Sequence, residues 1–85
     1  MAKTYLHIES ISDGQFPSEC AIVLCNYKNE QKSGFFQRRF IRDDKLEVKI
    51  IDRIDDKVLV QLPDQILEGK GGYYITVNAN DIYLE

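Results

Sequence analysis

The sequence predicts an all-β fold, a small antiparallel barrel of five or six strands that takes up residues 1–85 as a single domain. Three features carry this. Residues 45–62 alternate twice over: Leu46, Val48 and Ile50 against Glu47 and Lys49, then Val58, Val60 and Leu62 against Lys57 and Gln61. Side chains along a strand point to opposite faces with a period of two, so this is a hairpin with one apolar face, turned at Asp55-Asp56. Strand-like runs are separated by turn chemistry roughly every ten residues, the rhythm of a small barrel or sandwich. Five Tyr and four Phe among 85 residues suit a β core with amphipathic edges. Closing the sheet would remove exposed edges.

The chain in order gives the elements. Residues 4–11 form a first strand, with Leu6 and Ile8 inward and Tyr5, His7 and Glu9 on the wetter face. Ser12-Asp13-Gly14-Gln15 is a turn. Residues 20–27 are a continuous apolar run that suits a strand buried on both faces. A short helix over 19–27, capped by Ser18, is the alternative and would make the fold α+β; the β-branched Ile22 and Val23 with Tyr27 favour the strand. Residues 28–34 are a polar loop. Residues 35–41 form the next strand, but its alternation fails, because Arg38 and Arg39 fall on opposite faces beside Phe36, Phe40 and Ile41. A bulge there would let both guanidinium groups reach water; aliphatic stems covering apolar surface would serve as well. After the turn at Asp43-Asp44 comes the central hairpin, with a bend at Ile50-Ile51. Pro63 ends its second strand, having no donor for the ladder. Residues 64–72 are irregular, anchored by Ile66 and Leu67 and rich in Gly. Residues 73–77 are a strand, 78–81 a turn of 3₁₀ character, and 82–84 a closing edge strand.

From Lys45 onward this order resembles a Src-homology-3-like barrel: a coiled hairpin (46–62), a Gly-aromatic strand (72–77), a helical turn and the terminal Ile82-Tyr83-Leu84. The likeness covers about half the chain and implies the fold only. The aromatic signature of peptide-binding members, including its tryptophan pair, is absent, since the chain has no Trp. Recognition of proline-rich peptides is therefore not implied. An oligonucleotide-binding barrel, also five-stranded, is the nearest alternative, and neither fold fixes a function.

Composition narrows the function by exclusion. The net charge of −3 does not favour nucleic acid or anionic membrane as a default partner. No segment approaches the roughly 20 apolar residues of a membrane helix, and no apolar run of leader length opens the sequence. A cytoplasmic location is expected, with Cys20 and Cys25 as reduced, small hydrophobes; five residues apart on one strand, they face opposite ways and cannot bridge. No metal site is expected, because the single His7 has no partner ligands in the pattern. The pairs Asp43-Asp44 and Asp55-Asp56 are turn residues rather than an acid–base couple. The Gly69–Gly72 segment lacks the Ser/Thr and helix of a phosphate loop. No nucleophile has a base beside it. The expectation is a protein that is not an enzyme and needs no cofactor.

Charge along the chain offers one lead. Residues 28–42 hold five cations and one acid, while residues 43–68 hold eight acids and four bases. In the basic stretch, Lys32, Phe35, Arg38, Arg39 and Arg42 interleave cations with aromatics. Tyr5, Tyr27, Tyr74 and Tyr83 are expected at solvent edges, and Tyr and Arg anchor interfaces. The expected function is a protein-interaction module, an accessory subunit, adaptor or small inhibitor. Its partner surface would be Lys32, Phe35, Arg38, Arg39, Arg42 and Tyr74, and self-association through an edge strand is a further option. The alternative is nucleic-acid binding by residues 32–42, with cations on phosphates and aromatics on bases. The bland reading of the same stretch keeps Phe36 and Phe40 in the core and pairs the arginines with the acidic hairpin.

Overall fold

The computed structural model describes residues 3–64, 66 and 72–84. The described chain is mostly β, in two antiparallel sheets. The strands are β1 (Thr4–His7), β2 (Ser10–Asp13), β3 (Glu19–Cys25), β4 (Gln31–Gln37), β5 (Ile41–Arg42), β6 (Lys45–Ile54), β7 (Lys57–Gln61), β8 (Tyr74–Asn78) and β9 (Ile82–Leu84), with 3₁₀ turns at Arg38–Phe40 and Ala79–Asp81. The larger sheet has the order β8-β7-β6-β1-β9, with β5 also paired to β6; the smaller has the order β2-β3-β4.

Strand β6 organises the larger sheet because it serves two sets of neighbours. Its first half pairs with β1, Leu46 opposite Leu6 and Val48 opposite Thr4. Its second half pairs with β7, Ile50 opposite Val60. Between them the register shifts at Ile51, where the expected bend falls; the extra residue twists the strand and turns Ile51 outward. The hairpin apolar face is inward as the alternation requires, with Leu46, Val58, Val60 and Leu62 all buried.

The smaller sheet covers the open side of that face. Cys20, Ile22 and Leu24 point inward from β3, and Phe36 from β4. They join Leu6, Ile8, Leu46, Val48, Val58, Val60, Leu62, Ile66, Ile75 and Val77 in one core. Residues 20–25 are thus strand, not helix. Only one of their faces is fully buried, however; Ala21, Val23 and Cys25 on the other are half-exposed. Nothing among the described residues sits on that outer face deeply enough to seal it.

Several expected boundaries move. The first strand is broken into β1 and β2, and Ser12 and Asp13 lie in β2 rather than in a turn. The turn begins at Gly14, whose N–H donates to the Glu19 carbonyl at 3.2 Å. A Cβ at Gly14 would stand 2.8 Å from that carbonyl oxygen, so only glycine permits this approach. The expected 28–34 loop is shorter, because β4 already starts at Gln31. Asn26 closes the loop early: its Oδ1 accepts the N–H groups of Lys28 and Glu30, each at 2.9 Å. The expected strand 35–41 is interrupted by a 3₁₀ turn at Arg38–Phe40 instead of a bulge. That turn achieves what the bulge was expected to do. It leaves both arginines exposed while Phe36 is fully buried, and it carries the chain from one sheet to the other. Gly69, Gly71 and Leu67 lie outside the described residues.

Candidate functional site

The expected partner-binding residues do not gather on one face. Lys32 is opposite Leu24 and Phe35 opposite Ala21 across β3 and β4, an odd separation that sends them to opposite sides of the sheet. Arg38 is committed to the fold: its Nε donates to the Pro17 carbonyl at 2.8 Å, and its Nη2 lies 3.3 Å from Asp13 Oδ1. It pairs with β2, not with the acidic hairpin. Arg39 lies over the Phe40 ring, 4.7 Å from its centroid. Arg42 lies on β5 and Tyr74 on the far edge strand β8. The basic stretch is continuous in sequence and dispersed in space, because the 3₁₀ turn and β5 change sheet within five residues.

Two other concavities are lined by aromatics, one by Tyr27 and one by Tyr5 and Tyr83. The first lies on the outer side of β6, β7 and β8. Lys57 is opposite Ile54 and Asn78, and Leu59 opposite Asp52 and Thr76. Cross-strand partners share a face, so Ile54 and Leu59 stand among polar residues outside the core. Tyr27, from the β3–β4 loop, closes one side, and its N–H donates to the Thr76 carbonyl at 2.8 Å. The resulting depression of about 350 Å³ is lined by Tyr27, Asp52, Ile54, Lys57, Leu59 and Thr76. Ile54 is 67% exposed, and Tyr74, two residues from Thr76 on β8, is exposed as well. The ammonium groups of Lys28 and Lys57 lie 5.6 and 5.5 Å from the Tyr27 ring centroid. Loop position is set by Asn26, whose Nδ2 also donates to Glu30 Oε1 at 2.9 Å. That bond holds the Glu30 carboxyl below its ordinary pKa.

The second is a cleft of about 210 Å³ lined by Tyr5, Arg42, Asp43, Lys45, Tyr83 and Leu84. Tyr5 and Tyr83 are cross-strand partners on β1 and β9. Lys45 reaches over to place Nζ 4.5 Å from the Tyr83 ring centroid. Tyr5, expected at a solvent edge, is instead 7% exposed. Tyr27, Tyr74 and Tyr83 are exposed as expected.

Sequence reasoning missed the groove around Leu59. The signal was parity: Leu59 falls with Lys57 and Gln61 on the polar face of β7, an apolar residue where alternation calls for a polar one. Ile54 is the same kind of exception, visible only once the Asp55-Asp56 turn fixes the register. Among the described residues no group of three or more His, Cys, Asp or Glu could hold a metal ion, and no helix is long and apolar enough to cross a membrane. Cys25 sits on the outer face of β3, where burial, and then the Glu9 carboxylate, push its thiol pKa up. No protein-family model, curated protein or solved structure matches this chain.

Proposed function

We propose that the chain is a non-catalytic protein-interaction module with a Src-homology-3-like barrel as its framework. The framework reading is supported by the strand order β9-β1-β6-β7-β8, by one bent strand shared between two sets of partners, and by a 3₁₀ turn leading into the last strand. The interaction reading is carried by one observation: Ile54, Leu59 and Tyr27 line an open groove on an outer sheet face. Exposed apolar side chains grouped in a depression with a charged rim are the usual anatomy of a protein interface. Tyrosine supplies large contact area, with Lys57 and Asp52 placed at the rim to set register.

The test is affinity capture from a native lysate after nuclease treatment, comparing the wild-type chain with Ile54→Asp. A discrete protein held by the wild type and lost by Ile54→Asp supports the module. Retention that ignores the substitution, or that disappears with nuclease, counts against it. A second reading, nucleic-acid binding, is favoured by the exposed Arg39 guanidinium, which lies over the half-buried Phe40 ring. It predicts an affinity for single-stranded oligonucleotides that falls steeply with salt.

A further inference from the structure

We infer that the outer face of β6, β7 and β8 docks onto the same face of a second copy of this chain, about a two-fold axis that lies along a diagonal apolar stripe. The inference rests on the protein-interaction reading and names the partner of the groove at Ile54. Register defines the stripe. Ile54 is opposite Lys57 on β7, with Leu59 two residues further along. Leu59 is opposite Thr76 on β8, with Tyr74 two residues back. Residues two apart on a strand share a face, and diagonal cross-strand neighbours stand about 7–8 Å apart. Ile54, Leu59 and Tyr74 therefore run in one line across three strands. Ile54 is 67% and Tyr74 47% exposed, with the half-buried Leu59 between them.

The polar residues beside the stripe select the occupant. On one side stand Asp52, opposite Leu59, and Gln61, opposite Tyr74; on the other stand Lys57, opposite Ile54, and Thr76, opposite Leu59. A two-fold axis along the stripe lays each stripe residue over its own counterpart and exchanges the two flanks. Asp52 of each copy then faces Lys57 of the other, and Gln61 faces Thr76. An isologous interface requires this self-complementarity. One step further out, Lys49 is opposite Gln61. The same exchange brings it over Asn78, which lines a depression with Asp56 and Asp81. Like charges are thus kept from facing one another, although the chain carries a net charge of −3. Both members of the charged pair also have contacts within their own copy. Lys57 Nζ lies 3.8 Å from Asp56 Oδ1 and 5.5 Å from the Tyr27 ring centroid, and Asp52 Oδ1 accepts the Arg53 N–H at 2.8 Å. Such solvent-accessible pairs add little affinity. They fix the orientation of the copies, and the apolar stripe supplies the attraction. The face is small: three strands about 4.8 Å apart and the five residues of β7 in length, well short of the roughly 800 Å² per partner of a standard interface. The dimer is therefore weak and in rapid exchange with the monomer.

The experiment follows the full chain by NMR diffusion and amide shifts as its concentration is raised to about 1 mM, where an association of roughly −4 kcal/mol is half complete. The wild-type chain should approach dimer size, with shifts centred on residues 52–59 and 74–76; this series is independent of any variant's folding. Asp52→Lys and Lys57→Asp should each weaken self-association about tenfold, because both inter-copy pairs then carry like charges. An equimolar mixture of the two variants should regain the wild-type affinity, since both cross-pairs are again of opposite sign. A wild-type chain that stays monomeric overturns the inference. So do shifts confined to other strands, or a mixture that associates no better than either variant alone. A monomeric chain whose lysate capture still depends on Ile54 overturns this inference and leaves the interaction module standing with a different protein. If Ile54→Asp changes neither self-association nor capture, both readings fall.

Discussion

Arg38 Nε donates to the carbonyl oxygen of Pro17 at 2.8 Å, and the Arg38 N–H donates to the Ser18 carbonyl at 2.9 Å. These two bonds fasten the end of β4 to the turn between β2 and β3. A charged donor to a backbone carbonyl contributes roughly 0.5–1.5 kcal/mol at an exposed position. Arg38→Ala should lower stability by that amount in urea unfolding and leave partner capture unchanged. A variant with unaltered stability and lost capture would restore Arg38 to the binding surface.

Phe36 is fully buried and stands opposite Cys20, at the seam between the sheets. Phe→Ala in such a site costs about 3–5 kcal/mol. A chain of this length has about 4–13 kcal/mol in total. Phe36→Ala should therefore remove a large share of the stability and shift the unfolding midpoint well down, while Phe36→Leu shifts it less. Circular dichroism against urea distinguishes them.

Asp43 and Asp44 have φ of 51° and 63° and join β5 to β6 as a two-residue loop. Positive φ at both positions is the type I′ pattern that suits the twist of a hairpin. Glycine takes this conformation without penalty, whereas a β-branched residue resists it by about 1–2 kcal/mol. Asp44→Gly should hold or raise the midpoint of thermal unfolding, and Asp44→Val should lower it.

Glu30 accepts a hydrogen bond from Asn26 as a carboxylate, which is why its pKa is lowered from 4.5. The sign follows: the bond's contribution is present above that ordinary value and is lost as pH falls through the lower folded one. NMR titration should show the Tyr27 amide shifting with Glu30 at acidic pH. In Asn26→Ala the Glu30 carboxyl should titrate closer to its ordinary value.

Cys25 has its pKa raised from 9.0 by partial burial and then by the Glu9 carboxylate. Its thiolate is scarce near neutral pH, so alkylation by iodoacetamide should be slower than for a free thiol. Glu9→Gln should speed it. Any stability linked to Cys25 is present below pH 9.0 and is lost as pH rises towards the folded value.

The sequence by itself determined the β class, the central hairpin with its two Asp turns, the bend at Ile50-Ile51 and the closing 3₁₀ turn and strand. Each rests on information a few residues long: a period of two, a pair of turn formers, a break in alternation. Apolar run 20–25 was legible as strand because Ile22 and Val23 fit a pleated surface. What only the tertiary structure decided is which residues share a face. Lys32, Phe35, Arg38, Arg39 and Arg42 are neighbours in sequence, but a 3₁₀ turn moves the chain between sheets in the middle of them. Tyr5, Lys45 and Tyr83 are remote in sequence and meet because β1 lies between β6 and β9. Register between distant strands depends on the sum of core contacts, and no local pattern encodes that sum.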